Sequence, residues 1–217
     1  MSSNTLAAAT IRASRVSARV VLRNGVAVEA PLQVALGFLD AWGSFDLSVA
    51  SGPREFGEPD LRLANRGGAR ISATEIATIL ERRAAIERAL QAIAPDASLA
   101  GAATSVPWLP LRQLFDAFAD IRSVGYSKMT KALHRKRPAL IPMLDSVVQK
   151  YLQDDDPGAN APFGERALAL VRGYKRDLDR NRAALRALRR DLARRGYLVT
   201  DVRILDLLIW SVEAADQ

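Results

Sequence analysis

Apolar residues recur with a helical period along most of this chain. In ISATEIATILERRAAIERALQAI (71–93), Ile76, Ile79, Leu80, Ile86, Leu90 and Ile93 fall on one face, which predicts one amphipathic helix. Ser72 and Glu75 stand at capping-box spacing ahead of it, and Pro95 stops it. LPLRQLFDAFADI (109–121) sets Leu111, Leu114, Phe115 and Phe118 at the same period. The longest stripe spans 165–195, where Val171, Leu178, Leu185 and Leu192 recur every seven residues and Leu168 and Leu188 widen the face. This predicts one long helix with Gly196 as its C-cap. TDVRILDLLIWSVEAA (200–215) has so few polar positions that a buried helix is expected.

The first third reads differently. VVLRNGVAVEA (20–30) flanks Asn24-Gly25 with apolar residues, the signal of a β-hairpin with a type I′ turn. PLQVALGFLDAW (31–42) predicts a helix with Pro31 in its first turn, and 43–60 is rich enough in Gly, Ser and Pro to predict loop. The expected fold class is mainly α, one helical domain over 1–217 with a small N-terminal β-hairpin.

Composition narrows the chemistry. The 217 residues are 49% hydrophobic, enough for a sizeable core, and include no cysteine. Disulfides, zinc–thiolate sites and cysteine-held clusters are thereby excluded. No apolar run nears the ~20 residues of a membrane span, and the first twenty residues lack the apolar centre of a secretory signal. A cytoplasmic protein with no membrane partner and no cofactor is the simplest expectation. Charge adds a direction. The net charge is +7, yet residues 121–144 alone carry six Lys or Arg and no acid, and 163–195 carry eleven basic against four acidic residues. A basic half beside an acidic remainder suggests an anionic partner, and DNA is the partner expected. Arg-rich helices are also commonly just solvated.

The basic stretch ADIRSVGYSKMTKALHRKRPALIPMLDSVVQKYL (119–152) reads as helix, tight turn, helix, then a break at Pro138. The two helices are expected at 111–121 and 127–136. Gly125 allows close backbone approach, and the amides after it would open a helix N-terminus suited to phosphate. Val124 and Gly125 amides, with Lys128, Lys131, Arg135, Lys136 and Arg137, are the expected phosphate-binding set. Asp145 then opens the next segment. Followed by Ser-Val-Val, it is a natural N-cap. A carboxylate there could also stabilise a developing cation, and the two roles are compatible.

That stretch resembles the helix-hairpin-helix DNA glycosylase superfamily. Its pattern is a hairpin L-P-G-V-G, a Lys or Ser two residues on, a Pro-rich link, and an Asp twenty residues after the second glycine. Here Ile121-Arg122-Ser123-Val124-Gly125 stands at the hairpin, Ser127 two residues on, and Asp145 twenty on. Ile141-Pro142-Met143-Leu144-Asp145 is most similar to the adenine-glycosylase branch. The resemblance covers about 35 of the 217 residues, with Arg122 and Ser123 replacing the Pro and first Gly. It implies a helix-hairpin-helix DNA glycosylase-like fold. It also implies a metal-free hydrolase acting on the N-glycosidic bond of a flipped base, with Asp145 and Ser127 at its catalytic positions. Serine in place of the lysine nucleophile implies base release without strand cleavage. LANRGGARIS (63–72), HRKRP (134–138) and VRILDLLIW (202–210) also resemble pieces of an uncharacterised bacterial domain family, which implies no activity.

Other features point less sharply. His134, the one histidine, sits in a basic run and is expected to face DNA or solvent. Asp154-Asp155-Asp156 reads as a solvated turn, and Gly67-Gly68 as a turn whose neighbours Arg66 and Arg70 could hold a phosphate or pair with Asp60. Trp108, between prolines, is the tryptophan expected to be exposed. Two rivals to the enzyme remain open: a non-catalytic DNA-binding module, and an interaction protein that dimerises through helix 165–195.

Overall fold

A computed structural model describes residues 19–47 and 51–214, with the side chains of 42–47 left aside. Among the described residues the chain forms ten α-helices and no strand longer than an isolated bridge. The helices are α1 (Pro31–Leu47), α2 (Glu58–Arg66), α3 (Ala73–Glu81), α4 (Arg83–Gln91) and α5 (Trp108–Asp116). They continue with α6 (Tyr126–His134), α7 (Ser146–Tyr151), α8 (Phe163–Arg180), α9 (Arg182–Ala193) and α10 (Asp201–Glu213). The chain is thus mainly α, as its periodicity predicts.

Three elements differ from the sequence reading. The N-terminal hairpin is reduced to one antiparallel bridge, Val21 with Ala27. Its turn is not type I′, because only Gly25, at φ 80°, takes positive φ. Asn24 instead accepts the Val26 amide on its side chain, and the Gly25 amide bonds the Leu22 carbonyl. That is a type I turn closed by a left-handed glycine. Secondly, α1 runs on to Leu47. A Gly-Ser pair costs about 1 kcal/mol of helix propensity, too little to stop a helix docked on α9 and α10.

The third difference is two broken helices. The stripe over 71–93 divides at Arg82, where α3 turns to α2 and α4 turns to α5. The capping box of Ser72 and Glu75 is present as expected. The stripe over 165–195 divides at Asn181, and the cause is a distant partner. Asn181 accepts the Val21 amide at 2.8 Å and donates to the Val21 carbonyl at 2.9 Å, so its side chain serves the N-terminal bridge. Val171, Leu178, Leu185, Leu188 and Leu192 are all buried inside the chain. They form no free apolar seam along this helix. α9 ends at Ala193 with Arg194 as its C-cap, and Gly196, at φ 90°, closes the turn that follows.

One contiguous core runs from Val20 to Ile209. The last helix, α10, is its centre. Val202, Ile204, Leu205, Leu207, Leu208 and Ile209 are buried, each contributing about 1.5–3 kcal/mol by leaving water. This helix touches α1, α7, α8 and α9, so whatever polar groups it carries are held firmly against the head of α7.

Candidate nucleic-acid interface

The hairpin between α5 and α6 is anchored by two buried side chains, Ile121 and Val124, whose backbones close the turn at 3.0 Å. α5 stops at Asp116, short of the expected 121, because Ala117–Asp120 form turns. Arg122, Ser123 and Gly125 are exposed at the tip. Ser123 holds φ 65°, a left-handed conformation that favours glycine, the residue of the glycosylase hairpin at that position. Gly125 is the N-cap of α6, with extended backbone and no side-chain cap. The first amides of α6 therefore lack a side-chain acceptor, the arrangement that suits a phosphate oxygen.

The basic residues divide into surface and interior. Lys128 is half-buried and donates to Glu75 of α3 at 2.6 Å. Burial raises the Glu75 pKa and the Lys128 contact lowers it, with lowering the net result. Ser127 is half-buried one turn before Lys131, whose ammonium lies 3.4 Å from the Gly68 carbonyl. Arg135 is half-buried. The run then turns inward. Lys136 is buried against Asp60 at 2.6 Å and also reaches Ser51. Arg137 is wholly buried and donates to the carbonyls of Pro53, Leu90, Ile93 and Lys136 at 2.6–2.7 Å. His134, expected on the surface, is buried and donates Nδ1–H to the Ile141 carbonyl at 2.7 Å. A basic run needs no solvent when carbonyl ends from distant segments meet it. Asp60 accordingly pairs with Lys136, and not with Arg66 or Arg70.

The acid follows from this inward turn. Thr130 on α6 accepts the Leu144 amide at 2.9 Å, and His134 holds Ile141, so the link 138–144 is tied along α6. Asp145 emerges at the head of α7. Its Oδ1 accepts the amides of Val147 and Val148 at 3.1 Å, the expected N-cap. Its Oδ2 accepts the indole N–H of Trp210 at 3.1 Å. Trp210 is 40% exposed, meets Phe38 edge-on at 6.0 Å, and lines an apolar groove of about 570 Å³ with Val34, Gly37 and Phe38.

Lys131 feels this acid together with two further cations from separate elements. Burial lowers the Lys131 pKa, the charge of Asp145 opposes that, and Arg203 and Arg70 add to it. Arg70 lies in the loop after α2 at φ 55°, and Arg203 on α10. Lys131 thus shares its surroundings with one carboxylate and two further cations, a set that can face a phosphate chain. Beneath it lies Asp206, wholly buried. Arg203, Asp206 and Trp210 were missed in the sequence, although an Arg and an Asp inside VRILDLLIW are costly there and signal a purpose.

A charged cleft, about 490 Å³, lies between the N-terminal bridge and α8. Arg23 meets Asp155 at 2.7 Å and Asp177 at 3.1 Å, and the Tyr151 hydroxyl donates to Asp177 at 3.0 Å. Asp156 binds Arg166 at 2.8 Å. The 154–156 turn is therefore ion-paired rather than solvated at two of its three acids. Trp108 is half-buried, with Arg172 over its ring at 5.4 Å. Among the described residues no group of three His, Asp or Glu side chains is placed to hold a metal ion, and no helix is long and apolar enough to cross a membrane.

Residues 48–213 match a family of unknown function, DUF6308. The match begins after α1 and takes in the hairpin, Asp145 and all of α10. No curated protein and no solved structure matches the chain.

Proposed function

The chain belongs to the DUF6308 family, whose description assigns no activity, and from its geometry we propose a DNA-binding protein of the helix-hairpin-helix glycosylase type. In this reading the α6 N-terminus takes a backbone phosphate and Asp145 faces the sugar of an extruded nucleotide. The observation that carries it is the tie between hairpin and acid. Thr130 and His134, both on α6, fix the link that ends at Asp145, so phosphate grip and carboxylate form one rigid unit. Breaking an N-glycosidic bond builds positive charge on the sugar, which a held carboxylate stabilises. Lys131, Arg70 and Arg203 would offset the phosphates that surround it.

The test is base release from a panel of damaged, mismatched and modified duplexes. Asp145→Asn keeps the size and the cap, so folding survives. Release is expected to fall about a hundredfold or more, with DNA affinity unchanged or slightly higher. Release by wild type that Asp145→Asn matches removes Asp145 from the catalytic role. A second reading, a non-catalytic binding module, is favoured by one observation: both Asp145 oxygens already accept hydrogen bonds within the protein. DNA binding without release from any duplex selects it.

A further inference from the structure

Asp206 is wholly buried in the middle of α10, and its Oδ1 has no hydrogen-bond partner among the described residues. Its Oδ2 accepts the Met143 amide at 3.3 Å, two residues before Asp145. One helical turn further along the same helix, Trp210 holds Asp145 Oδ2. Asp206 and Trp210 thus grip the same short segment from one face of α10.

The surroundings favour the neutral form, because burial outweighs the hydrogen bond with Tyr174 that favours the charged one. Tyr174 of α8 acts on Asp206, but its one hydroxyl proton goes to the Val202 carbonyl at 2.6 Å. The side of that oxygen turned to Asp206 can only accept. A carboxylate there would leave one oxygen bare in the core, a costly arrangement, whereas a carboxylic acid can donate to Tyr174. The nearby charges are Arg203 on the same helix and Asp145 at the head of α7, and Lys131 of α6 acts on both. Arg189 of α9 pairs with Asp201, and Asp40 of α1 with the Tyr197 hydroxyl.

We propose that Asp206 is held as a neutral carboxylic acid and is the positioning residue for Asp145, bracing the 143–145 segment so that a single negative charge stands at the head of α7. Burial is the main cause that pushes its pKa up to about 8; Arg203, the Met143 amide and the Tyr174 hydrogen bond oppose it, and the neighbouring Asp145 adds to it. The part that concerns base release rests on the function proposed above, but the proton itself does not.

An acid whose pKa rises on folding takes up a proton as it folds. Stability is then greatest below the unfolded value near 3.8, is lost as pH rises toward about 8, and is level above that. Thermal midpoints of the whole protein from pH 5 to 9.5 should show this slope in wild type. Asp206→Asn, neutral and of the same shape, should flatten it by one proton. Carbon-13 carboxyl shifts of wild type read the same group directly, should that variant fail to fold. An Asp206 resonance titrating in the ordinary carboxylate range, or an unchanged slope in Asp206→Asn, overturns the proposal. On a duplex from which wild type releases base, release should fall about tenfold per pH unit above 8. Asp206→Asn should lose that fall and retain more release than Asp206→Ala. An alkaline fall that persists in Asp206→Asn removes the positioning role. Absence of release from every duplex, with the raised titration intact, sinks the glycosylase reading and leaves the buried proton standing.

Discussion

Arg137 donates to four carbonyl oxygens on three segments, the loop at Pro53, the end of α4 and its own turn. It is wholly buried, and no carboxylate pairs with it at salt-bridge distance among the described residues. A charge in that position persists because the carbonyls of a helix end, at Leu90 and Ile93, supply the negative pole that water would otherwise supply. Methionine fills much of the same volume but satisfies none of those oxygens. Arg137→Met should therefore cost about 3–5 kcal/mol, at the level of breaking a buried charged network. Urea unfolding followed by far-UV circular dichroism measures it. A loss below about 1 kcal/mol would mean that water replaces the guanidinium, and the residue would return to the surface set.

Helices show what a one-dimensional pattern can carry. Periodicity located α5, and α3 with α4 as one merged helix, because their apolar residues share one face; α10 was legible from its lack of polar positions, and Asp145 was legible as a cap because the cap acts within three residues. The breaks at Arg82 and Asn181 were not legible. Asn181 interrupts its helix for the backbone of Val21, 160 residues away, and no local signal encodes that distance. Composition misplaced Lys136 and Arg137 for the same reason, since their partners come from segments 44–85 residues off. The glycine of α8 gives a test at this scale. By propensity Gly173→Ala should stabilise the helix by about 1 kcal/mol. A Cβ at Gly173, however, would overlap the Asp155 carboxylate, which is pinned by Arg23 and Arg176. The substitution should therefore destabilise, and Asp155→Gly in the same chain should restore the propensity gain. A rise in thermal midpoint for Gly173→Ala alone would show that Asp155 is free to move.

Over the whole molecule the surface charge differs from the sequence charge. Residues 121–144 carry six basic groups, but burial removes Lys136 and Arg137, and Lys128 already has Glu75. Arg122, Lys128, Lys131 and Arg135 are left with some exposure at the hairpin. Each phosphate contact changes log K by about −0.9 per unit of log salt, so the hairpin accounts for a slope of at most about −3.6. Lys128→Ala with Lys131→Ala should reduce the measured slope on duplex DNA by up to about 2. Asp60→Asn with Lys136→Met removes a cation that lies inside the fold, and keeps a side-chain acceptor for the Gly57 amide. That pair should leave the slope unchanged while altering stability. The competing surface is α9, where Arg186, Arg190 and Arg195 are exposed on or just beyond the helix. If replacing those three lowers the slope and the hairpin pair does not, DNA lies along α9. Asp145, at the head of α7, is then a cap with no nucleotide before it.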